Sequence, residues 1–295
     1  MKAALIKLHI AVFLWGFTGV LGKAIELNEG LLVWYRLLLT VVFLWLLLVF
    51  KKHQFAVPLK TAIMYASIGV IIALHWVFFY GSIKYSNVSI ALVCLSSAGV
   101  MTAFLEPIMT RNRIVWYEVL LGLIAVIGIY LIFLFDSKFR IGIILGLIAT
   151  LLSVIFSIIN KKIIVKVQPK TLMFYQLIGG FVVLTLLMPL YLKAFPTNKL
   201  IPTFSDFIWL IVLSLACTIL SMDLSLQALK KVSAFTQNLT LNLEPVYGIV
   251  LAFVIYKENK DLSSTFYIGL ILIFSTVALQ MFRVIKPKGI KKNTA

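Results

Sequence analysis

Residues 31–50 read LLVWYRLLLTVVFLWLLLVF, a run of twenty positions in which Arg36 is the single charged side chain. About twenty consecutive apolar residues cross the hydrocarbon layer of a bilayer as a helix, and similar runs fill most of the 295-residue chain. Hydrophobic residues make up 62% of the sequence and charged residues 13%, whereas about 25% of a soluble domain is charged. A soluble fold of this length cannot bury so much apolar surface, so the sequence predicts an all-α integral membrane protein.

Ten apolar runs separated by short connections predict ten transmembrane helices, each antiparallel to the next. An even number of spans places both termini on the same side of the membrane. The predicted helices cover residues 4–24, 31–50, 61–83, 86–108, 115–134, 142–163, 170–191, 206–229, 233–256 and 265–284.

The distribution of charge orients this bundle. Most of the 27 Lys and Arg residues lie on the side of the two termini, so the positive-inside rule predicts that both termini are cytoplasmic. We therefore expect a multi-pass protein of the cell (inner or plasma) membrane. The net charge of +17 is then a topology signal with some attraction to anionic lipid, and nucleic acid is not an expected partner.

The two halves of the chain can be aligned with each other. With an offset of 140 residues Tyr35-Arg36-Leu37 falls on Tyr175-Gln176-Leu177, and with an offset of 147 Gly122-Leu123-Ile124 falls on Gly269-Leu270-Ile271. Chance similarity between apolar helices is the alternative explanation. Because five helices is an odd number, a second copy must enter the membrane from the opposite side. Inverted repeats are typical of secondary transporters, which hold their solute near the middle of the membrane. The prediction is two inverted five-helix repeats at residues 1–136 and 140–286, with a basic cytoplasmic tail at 287–295.

Five short motifs follow one another along the chain. They are Leu14-Trp15-Gly16 with Gly22-Lys23, Trp34-Tyr35-Arg36-Leu37, Leu243-Glu244-Pro245, Tyr256-Lys257-Glu258 and Tyr267-Ile268-Gly269. In this order they resemble the EamA-like transporters of the drug/metabolite transporter (DMT) superfamily, over essentially the whole chain. The resemblance implies a transporter that moves small metabolites, amino acids or amphipathic compounds. From the residues themselves we expect neither enzymatic activity nor a cofactor.

The first repeat departs from the family pattern, which has a proline and an acid in both copies. With the offset of 147, Pro245 corresponds to Ala98 and Glu258 to Arg111, and Glu106-Pro107 follows further along. We therefore do not expect the fourth and ninth helices to bend alike.

Polar side chains are costly within a bilayer and concentrate in the ninth predicted helix. Pro245 removes a backbone donor there and clashes with the carbonyl of Leu241, which predicts a kink near the middle of the membrane. The polar side chains then line a cavity, or alternatively hold the bundle together by interhelical hydrogen bonds. The residues concerned are Gln237, Asn238, Thr240, Asn242 and Glu244.

Helix eight carries Asp223 and Gln227 on one face, and the repeat alignment places Trp76 and Tyr80 at the equivalent positions of helix three. If equivalent positions face one cavity, its first-repeat wall is aromatic and apolar and its second-repeat wall is polar and acidic. Such a cavity suits an amphipathic solute that carries an amine or other hydrogen-bond donors. The predicted solute-binding residues are Trp76, Tyr80, Ser97, Asp223, Gln227, Asn238, Asn242, Glu244 and Tyr247.

Three carboxyl groups, those of Glu244, Asp223 and Glu106, are candidates for proton coupling because burial disfavours the charged form of an acid. The alternative is a fixed salt bridge with Arg36, Lys84 or Arg111, and we favour this for Glu106 beside Arg111. For Arg36 near the outer end of helix two, the side chain either snorkels to the surface or binds an anion.

Other functions require features that the sequence does not supply. A lipid-modifying intramembrane enzyme needs a paired nucleophile and base, and a membrane scaffold or sensor needs a soluble domain to pass on a signal. The spacing of a zinc site and a phosphate-binding loop are both absent from the sequence. We expect a secondary transporter working by alternating access, in the direction of export, with a small-molecule solute and the lipid bilayer as partners and a homodimer as an option.

Overall fold

The computed structural model describes residues 2–52, 56–111, 113, 115–135, 137–164, 167–232, 240–241 and 243–285, and these residues are helical almost throughout. The side chains of residues 118, 135, 277 and 280–285 are not part of this description. Gln237, Asn238, Asn242 and the predicted basic tail at 287–295 lie outside the described residues.

The described residues of the first half form six α-helices, and the fourth apolar run is divided between two of them. They are α1 Lys2–Ala24, α2 Glu29–Phe50, α3 Leu59–Tyr85, α4 Val88–Leu95, α5 Ala98–Thr110 and α6 Trp116–Phe135.

Among the described residues of the second half, six α-helices have defined bounds, and a π-helical stretch, Leu215–Leu220, joins α9 to α10. The helices are α7 Arg140–Ile163, α8 Pro169–Ala194, α9 Phe204–Ser214, α10 Ser221–Leu229, α11 Leu243–Tyr256 and α12 Ser264–Ile285. We call the end of the bundle where α1 begins the amino-terminal end, and the end where α1 finishes the opposite end.

Seven helical segments of the described chain are long and apolar enough to cross a membrane, counting α4 with α5 and α9 with α10 as one segment each. Three shorter apolar helices, Val119–Leu134, Leu243–Tyr256 and Ser264–Thr276, lie within the remaining predicted spans. A multi-pass, all-helical membrane protein is thereby confirmed, and the number of ten spans stays a prediction.

The helices of the two halves pack on each other in a reciprocal pattern. Helix α1 packs against α10 and α11, and its counterpart α7 packs against α3 and the α4–α5 segment. Likewise α2 packs against α9 as α8 packs against α3, while α2 meets α8 and α6 meets α12. Arg111 after α5 and Lys257 after α11 both adopt left-handed backbone conformations, with φ of 57° and 55°. Exchanging the halves therefore leaves these principal contacts unchanged, as expected for a repeat.

Glycines bring helices of the two halves into backbone contact. A Cβ added at Gly69 of α3 would overlap the carbonyl oxygen of Gln176 on α8, and one at Gly179 of α8 would overlap the Ala66 carbonyl oxygen. Small residues allow this approach, which dispersion and weak C–H···O contacts stabilise. Crossing points of this kind fix α3 against α8.

The fourth predicted span, 86–108, corresponds to one apolar segment that a two-residue turn interrupts, since α4 ends at Leu95 and α5 begins at Ala98. Ser96 and Ser97 at the break donate their hydroxyls to the carbonyl oxygens of Leu92 and Cys94, at 3.1 and 2.6 Å. Hydroxyls bonded back to nearby carbonyls compete with the regular helical pattern. The first repeat thus has a turn between α4 and α5 although it has no proline here. Helix α11 runs through Pro245 to Tyr256, and the predicted kink near Leu241 adjoins residues outside the described ranges.

Candidate solute-binding cavity

A cavity of about 420 Å³ lies between the two halves of the bundle and is lined by both. Its inner part is bounded by Arg36 of α2, Trp76 of α3 and Glu244 of α11. From there the cavity extends to Lys161 of α7 and the exposed Arg113, at the amino-terminal end. It is therefore a space that reaches from the interior of the bundle to one end.

Arg36 is the central cation of the cavity and is only 2% exposed. Its Nε and Nη2 atoms donate to the hydroxyl oxygen of Thr218, at 3.0 and 2.9 Å, and its Nη1 donates to the Tyr80 hydroxyl at 2.8 Å. The guanidinium carbon lies 3.9 Å from the ring centroid of Trp76, a cation–π contact. The predicted alternative in which Arg36 snorkels to the surface is wrong, because neighbouring helices enclose the side chain about two turns into α2.

The π-helical stretch between α9 and α10 presents Thr218 to Arg36. The Thr218 hydroxyl donates to the carbonyl oxygen of Leu213, five residues earlier, at 2.8 Å. Its two lone pairs then accept the two bonds from Arg36. π-Helical turns inside α-helices often coincide with functional sites. All the hydrogen-bonding capacity of this hydroxyl is used, so its orientation and that of the guanidinium are fixed together.

Glu244 lines the same cavity from α11. Its carboxylate interacts electrostatically with Arg36, yet it forms no hydrogen bond or ion pair with any residue that the structure describes. His75, also on the cavity wall, places Nδ1 2.8 Å from the Ala149 carbonyl oxygen. Because a carbonyl can only accept, Nδ1 carries the proton. The inner cavity thus offers one fixed cation and one carboxylate without a described partner.

The mouth of the cavity is bordered by Glu106, whose carboxylate forms an ion pair with Lys161. The salt bridge expected for Glu106 is therefore present, but the predicted partner, Arg111, is wrong. Lys161 belongs to α7, which packs against α5, and Arg111 ends α5 in its left-handed conformation. The partner was set by tertiary packing and not by distance along the chain.

Several predicted solute-binding residues lie away from the cavity. The Asp223 carboxylate is 3.6 Å from Lys170 Nζ, and the Gln227 side-chain oxygen accepts a hydrogen bond from Lys7 at 2.7 Å. The cavity face of α10 carries Met222, Ser225 and Leu226 instead. One position along an α-helix is a rotation of about 100°, which turns Asp223 and Gln227 toward α8 and α1.

Ser97 and Tyr247 do not line the cavity either. The Ser97 hydroxyl bonds to Cys94 at the helix break, and the Tyr247 ring packs edge-on against Phe13 at 5.6 Å. Of the predicted residues, Trp76, Glu244 and Glu106 line the cavity. Tyr80 does not line it, but its hydroxyl accepts a hydrogen bond from Arg36. Asn238 and Asn242 cannot be placed because they lie outside the described residues.

The opposite end of the bundle is closed over the cavity by Glu258, which is 1% exposed. Its carboxylate accepts hydrogen bonds from Lys23 Nζ at 2.8 Å, from the backbone N–H of Val88 at 3.1 Å, and from the backbone N–H and hydroxyl of Ser89 at 2.9 and 2.6 Å. The backbone donors are unpaired N–H groups at the start of α4, where negative charge is favoured. One acid of the second repeat thereby joins α1 and α4 of the first.

A second layer of cross-repeat contacts lies outside Glu258. Asp206 accepts a hydrogen bond from the backbone N–H of Glu26 at 2.8 Å, and the Tyr191 hydroxyl donates to Glu29 at 2.8 Å. Glu26 also pairs with Lys199 in the loop before α9. The hydrogen bond that Lys199 donates to this carboxylate raises the pKa of Lys199. The buried contacts of Asp206 and Glu258 therefore join the halves at the opposite end, and the exposed Glu26–Lys199 pair adds little to them.

This arrangement defines a class: a multi-pass membrane protein whose two halves enclose a solute-sized space open toward one end. The profile of the EamA-like transporter family matches residues 2–134 and, a second time, residues 140–282. The chain therefore belongs to the EamA-like transporter family and is a membrane transporter of the DMT superfamily. The resemblance drawn from the motifs is confirmed.

Structural comparison agrees with this at the level of the fold. A solved structure described as "Crystal structure of protein" superposes with a TM-score of 0.66 at 13% sequence identity, covering 97% of this chain and 99% of its own. At this identity the similarity shows a shared fold alone. Comparison with curated proteins gives no match.

Proposed function

We propose that this chain is a secondary transporter that works by alternating access and that the cavity between its repeats is the solute site. The observation that carries the proposal is the cavity reaching the amino-terminal end while Glu258 and its partners close the other. This is the form expected of one access state of a carrier built from two repeats. Ten spans with both termini in the cytoplasm complete the proposal.

With that orientation the cavity opens to the cytoplasm, so cytoplasmic solutes have access to it. Export of a small metabolite, an amino acid or another amphipathic compound is the direction that this arrangement favours. The volume of about 420 Å³ falls in the range of roughly 300–1,000 Å³ of small-molecule sites. Trp15, Trp76 and Phe79 supply an apolar wall for the body of the solute, and Glu244 supplies an acceptor for an amine.

Glu244 is the residue of this cavity that couples transport to protons in the proposed cycle. Glu106 and Asp223 have lysine partners, Lys161 and Lys170, whereas the Glu244 carboxylate has none among the described residues. A carboxyl group free of a fixed cation can exchange a proton with water that enters the cavity, and solute with an amine competes for the same site.

The test is transport by purified protein in liposomes. We would measure uptake and counterflow of radiolabelled aromatic and aliphatic amino acids and of the corresponding amines, with and without a pH gradient. Glu244→Gln should abolish acceleration by the pH gradient while the protein still inserts and unfolds at the same temperature. Glu26→Gln, at an exposed ion pair, is the matched control. The absence of flux of any solute in the wild type would contradict transport through this cavity.

Orientation can be tested by thiol labelling in intact cells. Both native cysteines, Cys94 and Cys217, are buried and free, so an introduced cysteine dominates the signal. Arg113→Cys at the cavity mouth should resist a membrane-impermeant maleimide until the cells are opened. Lys199→Cys in the loop before α9 should react at once, and the reverse result would place the cavity mouth outside.

A further inference from the structure

The guanidinium of Arg36 has hydrogen-bond donors that the described protein does not use. An arginine side chain carries five N–H groups, and three hydrogen bonds are made, two to Thr218 and one to Tyr80. Two N–H groups of a side chain that lines the cavity therefore have no acceptor among the described residues. They are available to a ligand.

The charge of Arg36 is also not neutralised by a direct partner. Thr218, Tyr80 and Trp76 are neutral, and none of the ion pairs between described residues includes Arg36. Glu244 interacts with it across the cavity without a hydrogen bond. An intramembrane cation is costly unless it is paired or faces a polar cavity. The site is therefore complementary to an anionic group placed inside the cavity.

We propose that Arg36 binds the carboxylate of the transported solute and that Thr218, presented by the π-helical stretch, is the residue that positions it. This inference rests on the proposed function of the cavity as the transport site. The predicted solute class is an apolar or aromatic body bearing a carboxylate, with an amine that Glu244 accepts. The pairing of one arginine with one nearby acid favours a monoanion over a phosphate dianion, because Glu244 repels the second charge.

Preorganisation of the guanidinium supports this assignment. Stacking on Trp76 fixes the plane of the group, and the fork of Nε and Nη2 on the Thr218 oxygen fixes its rotation. A planar fork held in this way loses little entropy when it binds a planar carboxylate. Lysine retains the charge but has no fork, so Arg36→Lys is an informative substitution.

The alternative is that Arg36 serves only as a permanent countercharge for Glu244. Neutralising both residues would then restore function that either single change removes. If Arg36 binds the solute carboxylate, Arg36→Met with Glu244→Gln leaves carboxylate binding lost. The double variant therefore separates the two roles.

The experiment measures binding to purified protein by quenching of the cavity tryptophans, with phenylacetate, its neutral amide, phenethylamine and phenylalanine as probes. The wild type should bind the carboxylates about 10- to 100-fold more tightly than the amide, the effect expected for charge-assisted hydrogen bonds. Arg36→Lys should remove most of this preference and Arg36→Met all of it. Thr218→Val should reduce the preference for carboxylates, whereas Thr218→Ser, which keeps the hydroxyl, should retain it. This pair of variants tests the inference independently of whether the Arg36 variants fold.

Each other outcome overturns the inference. It fails if the wild type binds no carboxylate, if amide and carboxylate bind equally, if Thr218→Val and Thr218→Ser behave alike, or if the double variant regains carboxylate binding. Flux of amines or neutral solutes that does not depend on Arg36 would leave the transporter proposal intact while removing this one. A wild type that carries no solute at all would instead remove the transporter proposal.

Discussion

The Glu258 carboxylate accepts hydrogen bonds from both the backbone N–H and the hydroxyl of Ser89, at 2.9 and 2.6 Å, across the boundary between the two repeats. With Lys23 on its other oxygen, this acid is the most connected group at the closed end among the described residues. Opening that end requires these contacts to break. In the proposed alternating-access cycle, the energies of these contacts therefore set how often the cavity faces the opposite side.

We expect Glu258→Gln to open the opposite end more often, because an amide loses the ion pair with Lys23 and one of its acceptor atoms. Thr18→Cys, on the cavity wall, reports this as labelling by an impermeant thiol reagent added from the opposite side. The rate should rise about tenfold, which corresponds to about 1.4 kcal/mol of lost closed-state stability. Glu26→Gln in the same background should leave it unchanged, and equal rates in all three proteins would show that Glu258 does not hold this end.

The two lysine–acid pairs of the closed end should differ in importance. Lys23→Met removes a partner of a buried acid and should lower the unfolding temperature in detergent, whereas Lys199→Met removes an exposed pair that contributes little. The raised pKa of Lys199 means that any contribution is complete below the ordinary lysine pKa of about 10.4 and disappears as the pH rises through the raised value. Unfolding temperatures of wild type and Lys199→Met should therefore converge at high pH. A larger loss in Lys199→Met than in Lys23→Met at neutral pH would contradict this order.

Gly69→Ala should destabilise the bundle strongly. The added Cβ would meet the Gln176 carbonyl on α8, a backbone atom that cannot turn aside, and overpacking of this kind costs about 1–3 kcal/mol or more. Gly81→Ala is the matched control in the same helix, since its Cβ would lie 3.4 Å from a Leu145 methyl, an ordinary contact. Thermal unfolding of the two variants measures the difference. Equal stability would show that α3 and α8 can separate at no cost.

Replacing both Ser96 and Ser97 by alanine should join α4 and α5 into one regular helix, because it removes the hydroxyls that bond back to Leu92 and Cys94. We expect slower solute flux with binding changed by less than about threefold, which is within about 0.7 kcal/mol. Ser67→Ala is the control, because this exposed serine makes the same kind of bond within α3. Unchanged flux in the double variant would remove the break from the transport cycle.

The apolar runs predicted the helices to within a few residues at most boundaries, because a bilayer dictates the length of a span. The break at Ser96-Ser97 and the π-helical stretch at Leu215–Leu220 were not predicted. Neither contains a proline or glycine. At both places serine or threonine hydroxyls donate hydrogen bonds to backbone carbonyl oxygens of the same segment. The pattern of hydropathy along the chain does not predict these side-chain-to-backbone hydrogen bonds.

The cavity was predicted less completely than the fold. Trp76 and Glu244 were found because polar and aromatic residues at repeat-equivalent depths were expected to converge. Arg36 was visible as the one charge in its apolar run, but its depth suggested the surface until the packing of neighbouring helices was known. Helical spacing correctly placed Asp223 and Gln227 on one face of the helix. Which neighbouring helix or cavity that face meets is set by tertiary contacts, which the spacing does not predict.

The repeat alignment gives Arg111 the position that Glu258 occupies in the second copy. At the amino-terminal end the acid is Glu106, which pairs with Lys161 but stays one-quarter exposed, whereas Glu258 is 1% exposed and also accepts from the backbone N–H groups of α4. We expect the two access states to be unequally populated at rest, with the state open at the amino-terminal end favoured. The free energy of binding solute at the amino-terminal end must then offset the loss of the Glu258 contacts. The empty carrier regains those contacts on its return, so that step is favourable without solute.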